Sequence, residues 1–219
     1  FTVSSGGAAG GITDSGNLAV TGAASFTVAN ARSIVLDSAG NVFNGTVSFL
    51  ASAGNIQDVT VVDTTALDLQ APSLVILGNL SVTAAGITQS GFLTVPGTTT
   101  LVAGANNITL SNASNNFTGA VAVTSGNIVA LTDANAIVLG TSTVSGTLGV
   151  TATGTITQTA GVTVTGTTTL VAGGPSNITL NNAANDFSTV AVTTGNIVAL
   201  TDANALDLGA STVSGIFTV

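Results

Sequence analysis

Gly126-Asn-Ile-Val-Ala-Leu-Thr-Asp-Ala-Asn-Ala136 returns, residue for residue, as Gly195-Asn-Ile-Val-Ala-Leu-Thr-Asp-Ala-Asn-Ala205. The offset is 69 positions, and the flanks keep it. Thr98-Thr-Thr-Leu-Val-Ala-Gly104 matches Thr167-Thr-Thr-Leu-Val-Ala-Gly173, and Ser142-Thr-Val-Ser-Gly146 matches Ser211-Thr-Val-Ser-Gly215. A long, faithful period marks an array in which each unit buries its apolar face only against its neighbours. The period is therefore the first thing to explain.

Composition narrows the explanation. The chain is 45% hydrophobic but only 5% charged, so neutral polar groups or a membrane must solvate its surface. No apolar run approaches the roughly 18 residues of a membrane helix; Leu74-Val-Ile-Leu77 is among the longest. Membrane insertion is thus not expected, and Thr, Ser, Asn and Gly must make the surface. All nine acidic residues are Asp, and Arg32 is the only cation, for a net charge of −8. Nucleic acid is excluded as a partner, because phosphate binding needs Lys and Arg to release counterions. With no Cys and no His, disulfides, thiolate metal sites and the usual general base are all missing. Phe1-Thr-Val3 and Ile216-Phe-Thr-Val219 begin and end in mid-pattern, so a segment of a longer chain is expected.

Period-two alternation of Val, Ile, Leu and Thr, punctuated by Gly, Asn-Ala and Ser-Gly, predicts short strands throughout and no helix. Three repeats follow, about 1–78, 79–147 and 148–216, forming one continuous domain. Ile12-Thr-Asp14 is the counterpart of Ile87-Thr-Gln89 and Ile156-Thr-Gln158. A repeat of this length is too long for one coil of a β-helix. Taking Thr147–Val150, Thr168–Val171, Thr189–Val192 and Ile216–Val219 as equivalent strands divides it into three coils, the third longer than the other two. Nine or ten coils at about 4.8 Å make a rod of about 45 Å with an axial repeat of about 14 Å. In Leu67-Asp-Leu69, Ile137-Val-Leu139 and Leu206-Asp-Leu208 the outer positions stay apolar while the middle accepts Asp or Val. The outer side chains, Leu208 included, are predicted to face the core. Phe43, Phe117 and Phe187 recur once per repeat and are predicted to fill a corner of the interior.

Gly146–Gly215 almost completely, Gly78–Gly146 nearly as well and residues 1–77 more loosely carry one pattern. It runs through Ile-Thr-Gln, Thr-Thr-Thr-Leu, Asn-Ile-Thr-Leu, Gly-Asn-Ile and Leu-Thr-Asp-Ala-Asn-Ala. It resembles the central repeats of filamentous-haemagglutinin-like exoproteins. The resemblance implies a right-handed parallel β-helix (β-solenoid), secreted across the outer membrane of a Gram-negative bacterium. It also implies a cell-surface fibre or adhesin role, in which such repeats are the scaffold. Expected partners are like segments stacked end to end, covalently or as a homopolymer, and host-cell or surface glycans.

Enzymatic chemistry is not expected. Glycan-cleaving β-helices gather carboxylates at one cleft, whereas here Asp14, Asp37, Asp58, Asp63, Asp68, Asp133, Asp186, Asp202 and Asp207 are spread along the chain. No catalytic residue or cofactor is assigned. Asp133 with Asn135, and Asp202 with Asn204, are weak candidates for calcium; the preferred reading is a turn in which they bond local amides. Asn-x-Ser/Thr triplets at Asn44, Asn79, Asn107, Asn112, Asn116 and Asn177 are candidate glycan acceptors, a modification known in the resembled family. Thr155, Thr157, Thr159, Thr163 and Thr165 suggest a Thr face that could order water or hold a glycan. Varying coil lengths argue against a regular Thr lattice. The function expected is a non-catalytic structural rod, with that water-, ice- or glycan-binding module as the alternative.

Overall fold

The structure is a computed structural model and describes residues 1–6, 10–69 and 73–219. It is an all-β parallel solenoid. Every strand pairing among the described residues is parallel, as expected for a chain that winds on in one sense and returns above itself. Two long sheets run its length, each passing through eleven levels, which makes about ten coils. The first long sheet contains Thr2–Ser5 and ends with Asp207–Leu208; the second runs from Ile12–Thr13 to Phe217–Thr218. Coils differ in length, from a short one between the paired Val121 and Leu139 to a long one between the paired Ile34 and Val59. The corners absorb most of the difference, and register along the faces is largely kept.

Alternation does what the pattern predicts. Val129–Asp133 and Leu148–Ala152 point alternate side chains inward, and the inward ones stack coil on coil. Leu67, Leu69, Ile137 and Leu139 are buried, with Asp68 and Val138 turned outward. Phe43, Phe117 and Phe187 are buried to 1% exposure, as expected of corner fillers. Leu208 departs from expectation: it is 45% exposed, because it lies on the last coil with none of the chain stacked above it.

The coil division also needs correction. Leu148, Thr168 and Val190 do stack, but the next strand above them is Asp207–Leu208, reached by a short coil. Ile216–Val219 belongs elsewhere: Phe217–Thr218 sits in the second long sheet. The long third coil does not exist. Equivalent strands instead change sheets at every repeat. Ile34–Leu36 is in the second sheet, Ile108–Leu110 in the first and Ile178–Leu180 in the second. Val59–Val62, Val129–Asp133 and Val198–Leu200 alternate the same way. Val121 lies under Leu139, Leu139 under Gln158, and Ile156 under Ile178. Val190, the counterpart of Val121, follows Leu180 by half a coil. One repeat thus holds about three coils plus a half, and successive repeats are related by a half-turn. Full identity returns after seven coils, about 34 Å.

A short third side closes the contour, and it changes edge with the repeat. Ala19–Val20 and Val42–Phe43 lie between the second sheet and the first. Ser73–Val75, Phe92–Val95 and Asn116–Phe117 lie at the other edge, between the first sheet and the second. Ser142–Val144, the start of Val162–Ala172 and the start of Asp186–Thr194 return to the original edge.

Thr99 and Thr168 occupy equivalent inward places, fully buried, with hydroxyls that find no partner among the described residues. Ala24 fills the same place in the first repeat. A buried unpaired hydroxyl costs about 1–3 kcal/mol, so Thr99→Val and Thr168→Val should each raise the melting temperature by a few degrees. Calorimetry giving a lower value for both would contradict the inward placement. The faces make a second prediction: Leu139→Asp should cost several kcal/mol, while Val138→Asp, on the outward side where the equivalent residue is Asp68, should cost far less.

Candidate functional site: the segment that moves the third side

Gly126–Ala136 is where one third side ends and the next begins. Gly126 opens the new side by pairing with Val144. Val129–Asp133 then crosses the first sheet to the opposite edge, where Asp133 closes the old side above Phe117. The second copy repeats this: Gly195 pairs with Val213, and Asp202 closes above Phe187.

Closure is a hydrogen-bonding requirement. The Phe117 N–H points toward a strand that does not follow, and a buried orphan amide is costly. The Asp133 carboxylate accepts it at 2.8 Å and, with its other oxygen, accepts the Asn135 N–H at 2.7 Å. Asp202 accepts from Phe187 at 2.7 Å and from Asn204 at 3.0 Å. Asp63 accepts from Phe43 at 3.1 Å and from the Thr65 amide and hydroxyl. The next amide, on Thr64, Ala134 or Ala203, donates to the carbonyl of a buried Asn.

That Asn, at 41, 115 and 185, is fully buried, and sequence reasoning misses it although Asn-x-Phe recurs in all three copies. Asn115 Nδ2 donates to Gln89 Oε1 at 2.8 Å and to the carbonyls of Leu110 and Thr132. Its Oδ1 accepts from Leu93 N and from Gln89 Nε2 at 2.8 Å. Asn185 and Gln158 form the same reciprocal amide pair. In the first repeat Asp14 stands in for Gln and accepts from Asn41 Nδ2 at 2.7 Å.

These placements decide what the candidate residues can do. Burial pushes the Asp133 carboxyl above its ordinary pKa, against the Phe117 and Asn135 amides that favour the carboxylate. Burial also acts to raise Asp14, but hydrogen bonds from Asn41 and from the Ser38 and Asp37 amides outweigh it and hold that carboxyl below its ordinary value. Both oxygens of Asp133 and of Asp202 accept from N–H donors, so each carboxylate serves the backbone of its own corner. Asn135 and Asn204 supply backbone amides to it. Among the described residues no three or more of His, Cys, Asp and Glu come together.

Of the candidate glycan acceptors, Asn44 is exposed. Asn79, Asn107, Asn112, Asn116 and Asn177 each hold the side-chain oxygen against a neighbouring amide or hydroxyl. Asn107 accepts Ile128 N, and Asn177 accepts Ile197 N, both at 3.1 Å, so these two brace the switch from the coil below. Of the Thr candidates, Thr159 and Thr165 are exposed, Thr155, Thr157 and Thr163 half-buried. Among the described residues no helix is long and apolar enough to cross a membrane.

Parallel coils, an apolar interior and polar groups used up by backbone caps define a β-solenoid repeat protein. The chain belongs to the family described as Repeats of unknown function (DUF5649), which matches residues 1–50, 56–124, 125–194 and 194–219. Its boundaries at 125 and 194 fall one residue before Gly126 and Gly195, so the family's frame is the frame of the switch. Four matches, two of them partial, replace the three-repeat frame drawn from the sequence while keeping its period. No curated protein and no solved structure matches.

A Cβ on Gly126 would lie 2.9 Å from Val129 Cγ2 and 3.2 Å from Ile108 Cδ1. Gly126→Ala should therefore destabilise by about 1–3 kcal/mol through overpacking. Asp133 makes a pH prediction. With its folded pKa raised above 3.8, the folded state holds the proton more tightly than the unfolded chain. Its penalty is present at neutral pH and is relieved as pH falls through the raised value toward 3.8. Wild type should gain stability relative to Asp133→Asn as the solution is acidified from neutrality to about pH 4, read as the difference of the two melting curves. A constant difference would refute the raised pKa.

Proposed function

We propose that the chain is a length of structural rod in a secreted bacterial surface fibre or adhesin stalk, akin to the filamentous-haemagglutinin-type scaffold its repeats resemble. One observation carries this reading: both long sheets continue through all eleven levels, while a buried or half-buried Asp bonds across the boundary from one repeat to the next. A solenoid built this way extends by adding repeats and keeps its cross-section. Its partners are then like segments continuing the sheets at either end, with surface glycans contacted by other parts of the fibre. The work is mechanical and no reaction is assigned. With Arg32 as the only basic residue, trypsin-like proteases have one site.

The rival reading, a Thr face that orders water or holds a glycan, is favoured by outward Thr88, Thr109 and Thr169 in one column of the first sheet. Ala130 and Gly149 interrupt that column, and no Trp or Tyr offers a sugar a stacking platform.

Electron microscopy of the native polypeptide tests the stalk. Expected are rods of constant width whose axial density repeats at about 17 Å with alternating flanks, hence about 34 Å for full identity. Surface labelling of intact cells should find them outside. Compact particles confined to the cytoplasm would falsify the stalk reading, and thermal hysteresis in a freezing assay would favour the rival.

A further inference from the structure

The buried Phe that ends each third side is followed by an exposed residue at a corner. Thr118 and Gly119 follow Phe117, Ser188 follows Phe187, and Asn44 and Gly45 follow Phe43. Asn44-Gly45 is the one Asn-Gly pair in the sequence. Its glycine is imposed by the fold. A Cβ on Gly45 would collide with the Gly22 carbonyl and stand 2.8 Å from Ala23 N, so the corner below leaves no room for a side chain.

Nothing holds the Asn44 side chain. It is exposed, and its amide makes no hydrogen bond among the described residues. The Gly45 N–H has no acceptor among them either. The backbone on each side is fixed to the coil below: Asn44 N donates to Val20 O at 3.0 Å, and Thr46 O accepts Ala24 N at 2.8 Å. A free side-chain amide and a free backbone nitrogen are therefore neighbours in a bend between two anchored points.

We propose that Asn44 is a site of spontaneous deamidation, at which the chain modifies itself without an enzyme. The Gly45 nitrogen loses its proton to water and attacks Asn44 Cγ. A C–N bond forms, and the side-chain nitrogen leaves as ammonia. Water then opens the cyclic imide at one carbonyl to give Asp, or at the other to give isoaspartate. One water is consumed, one ammonia is released, and nothing is oxidised or reduced. A Cβ on the attacking residue would hinder ring closure, and glycine has none; Asn is in any case among the thermolabile residues. Asn135 supplies an internal comparison, exposed and with its side chain unbonded among the described residues, but followed by Ala136.

The two products differ in consequence. Asp changes only the charge of an exposed corner. Isoaspartate routes the main chain through Cβ and lengthens it between the bonds to Val20 and Ala24, where the close contact of Gly45 with Gly22 leaves no slack. Isoaspartate is therefore the product that loosens the first coils. None of this depends on the stalk reading.

Peptide mapping of the folded 219-residue chain after incubation in mildly alkaline buffer tests the proposal. Amide-to-acid conversion should be several-fold faster at Asn44 than at Asn135, with isoaspartate, read by isoaspartyl methyltransferase labelling, in excess over Asp. Asn44→Gln should abolish the conversion. Thr46→Ala removes the glycan-acceptor triplet but keeps Asn44-Gly45, and should leave the rate unchanged. Asn44→Asp should melt like wild type, while chain enriched in isoaspartate should melt lower. Conversion at Asn44 no faster than at Asn135, or to Asp alone, would overturn the proposal. So would a sugar on Asn44 in every native molecule, since it occupies the nitrogen that must leave. Isoaspartate with unchanged melting would overturn the loosening assigned to it.

Discussion

A third side that stops must satisfy the amide of its last strand, and the rest of the repeat follows from how it does so. The Phe117 N–H has no strand above it, and Asp133 supplies the acceptor. A carboxylate does this better than a neutral oxygen, since charge-assisted bonds are the stronger ones. The bond has a cost: burial raises the Asp133 pKa, which means the folded state would hold the group more easily as the acid. The chain accepts that cost at neutral pH because an orphan amide beside the Phe117 ring would be worse. The same bond stands at each of the three places where a third side ends.

Beneath the cap the amide pair fixes register. Asn115 makes its bonds to the strand carbonyl before it, to Leu93 and Gln89 on the coil below and to Thr132 above. A slip of one residue would turn every inward side chain outward, and it would also leave this buried amide with unmet donors. Apolar stacking alone tolerates exchange among Val, Leu and Ile. The buried Asn and the capping Asp do not, and both stand in all three copies while Ser81, Gly149 and Thr218 differ at equivalent outward places.

Much of the architecture is legible in the pattern of residues. Period-two alternation yields strands and faces, and Leu-Asp-Leu beside Ile-Val-Leu identifies the inward positions. Counting coils is where the pattern fails. Ile216-Phe-Thr-Val219 looks like Leu148-Gly-Val150 because every face of a solenoid imposes the same in–out alternation. Pattern alone cannot tell one sheet from the other, so a half-turn per repeat is invisible to it. Asp133 is only half legible for a related reason. Its bond to Asn135 is two residues away and shows in the sequence as a turn; its bond to Phe117 reaches back across one coil. Pattern assigns Leu208 to the core on sound grounds, but burial also needs a coil above it.

The half-turn has a mechanical consequence. In a solenoid whose repeat is a whole number of coils, the third side and its caps pile up along one edge, and any difference in length or twist between the edges bends the rod the same way at every repeat. Here each third side of about three strands is followed by one at the opposite edge. Whatever bend Phe92–Val95 and its neighbours impose is opposed by that of Ser142–Val144 and the strands stacked on it, since they lie at opposite edges. The caps alternate as well, Asp63 and Asp202 at one edge and Asp133 at the other. Over seven coils such asymmetries oppose one another, so alternation favours a straight rod without requiring each coil to be regular. A coil as short as the one from Val121 to Leu139 and one as long as that from Ile34 to Val59 accordingly share one continuous pair of sheets, with the difference taken up at the corners.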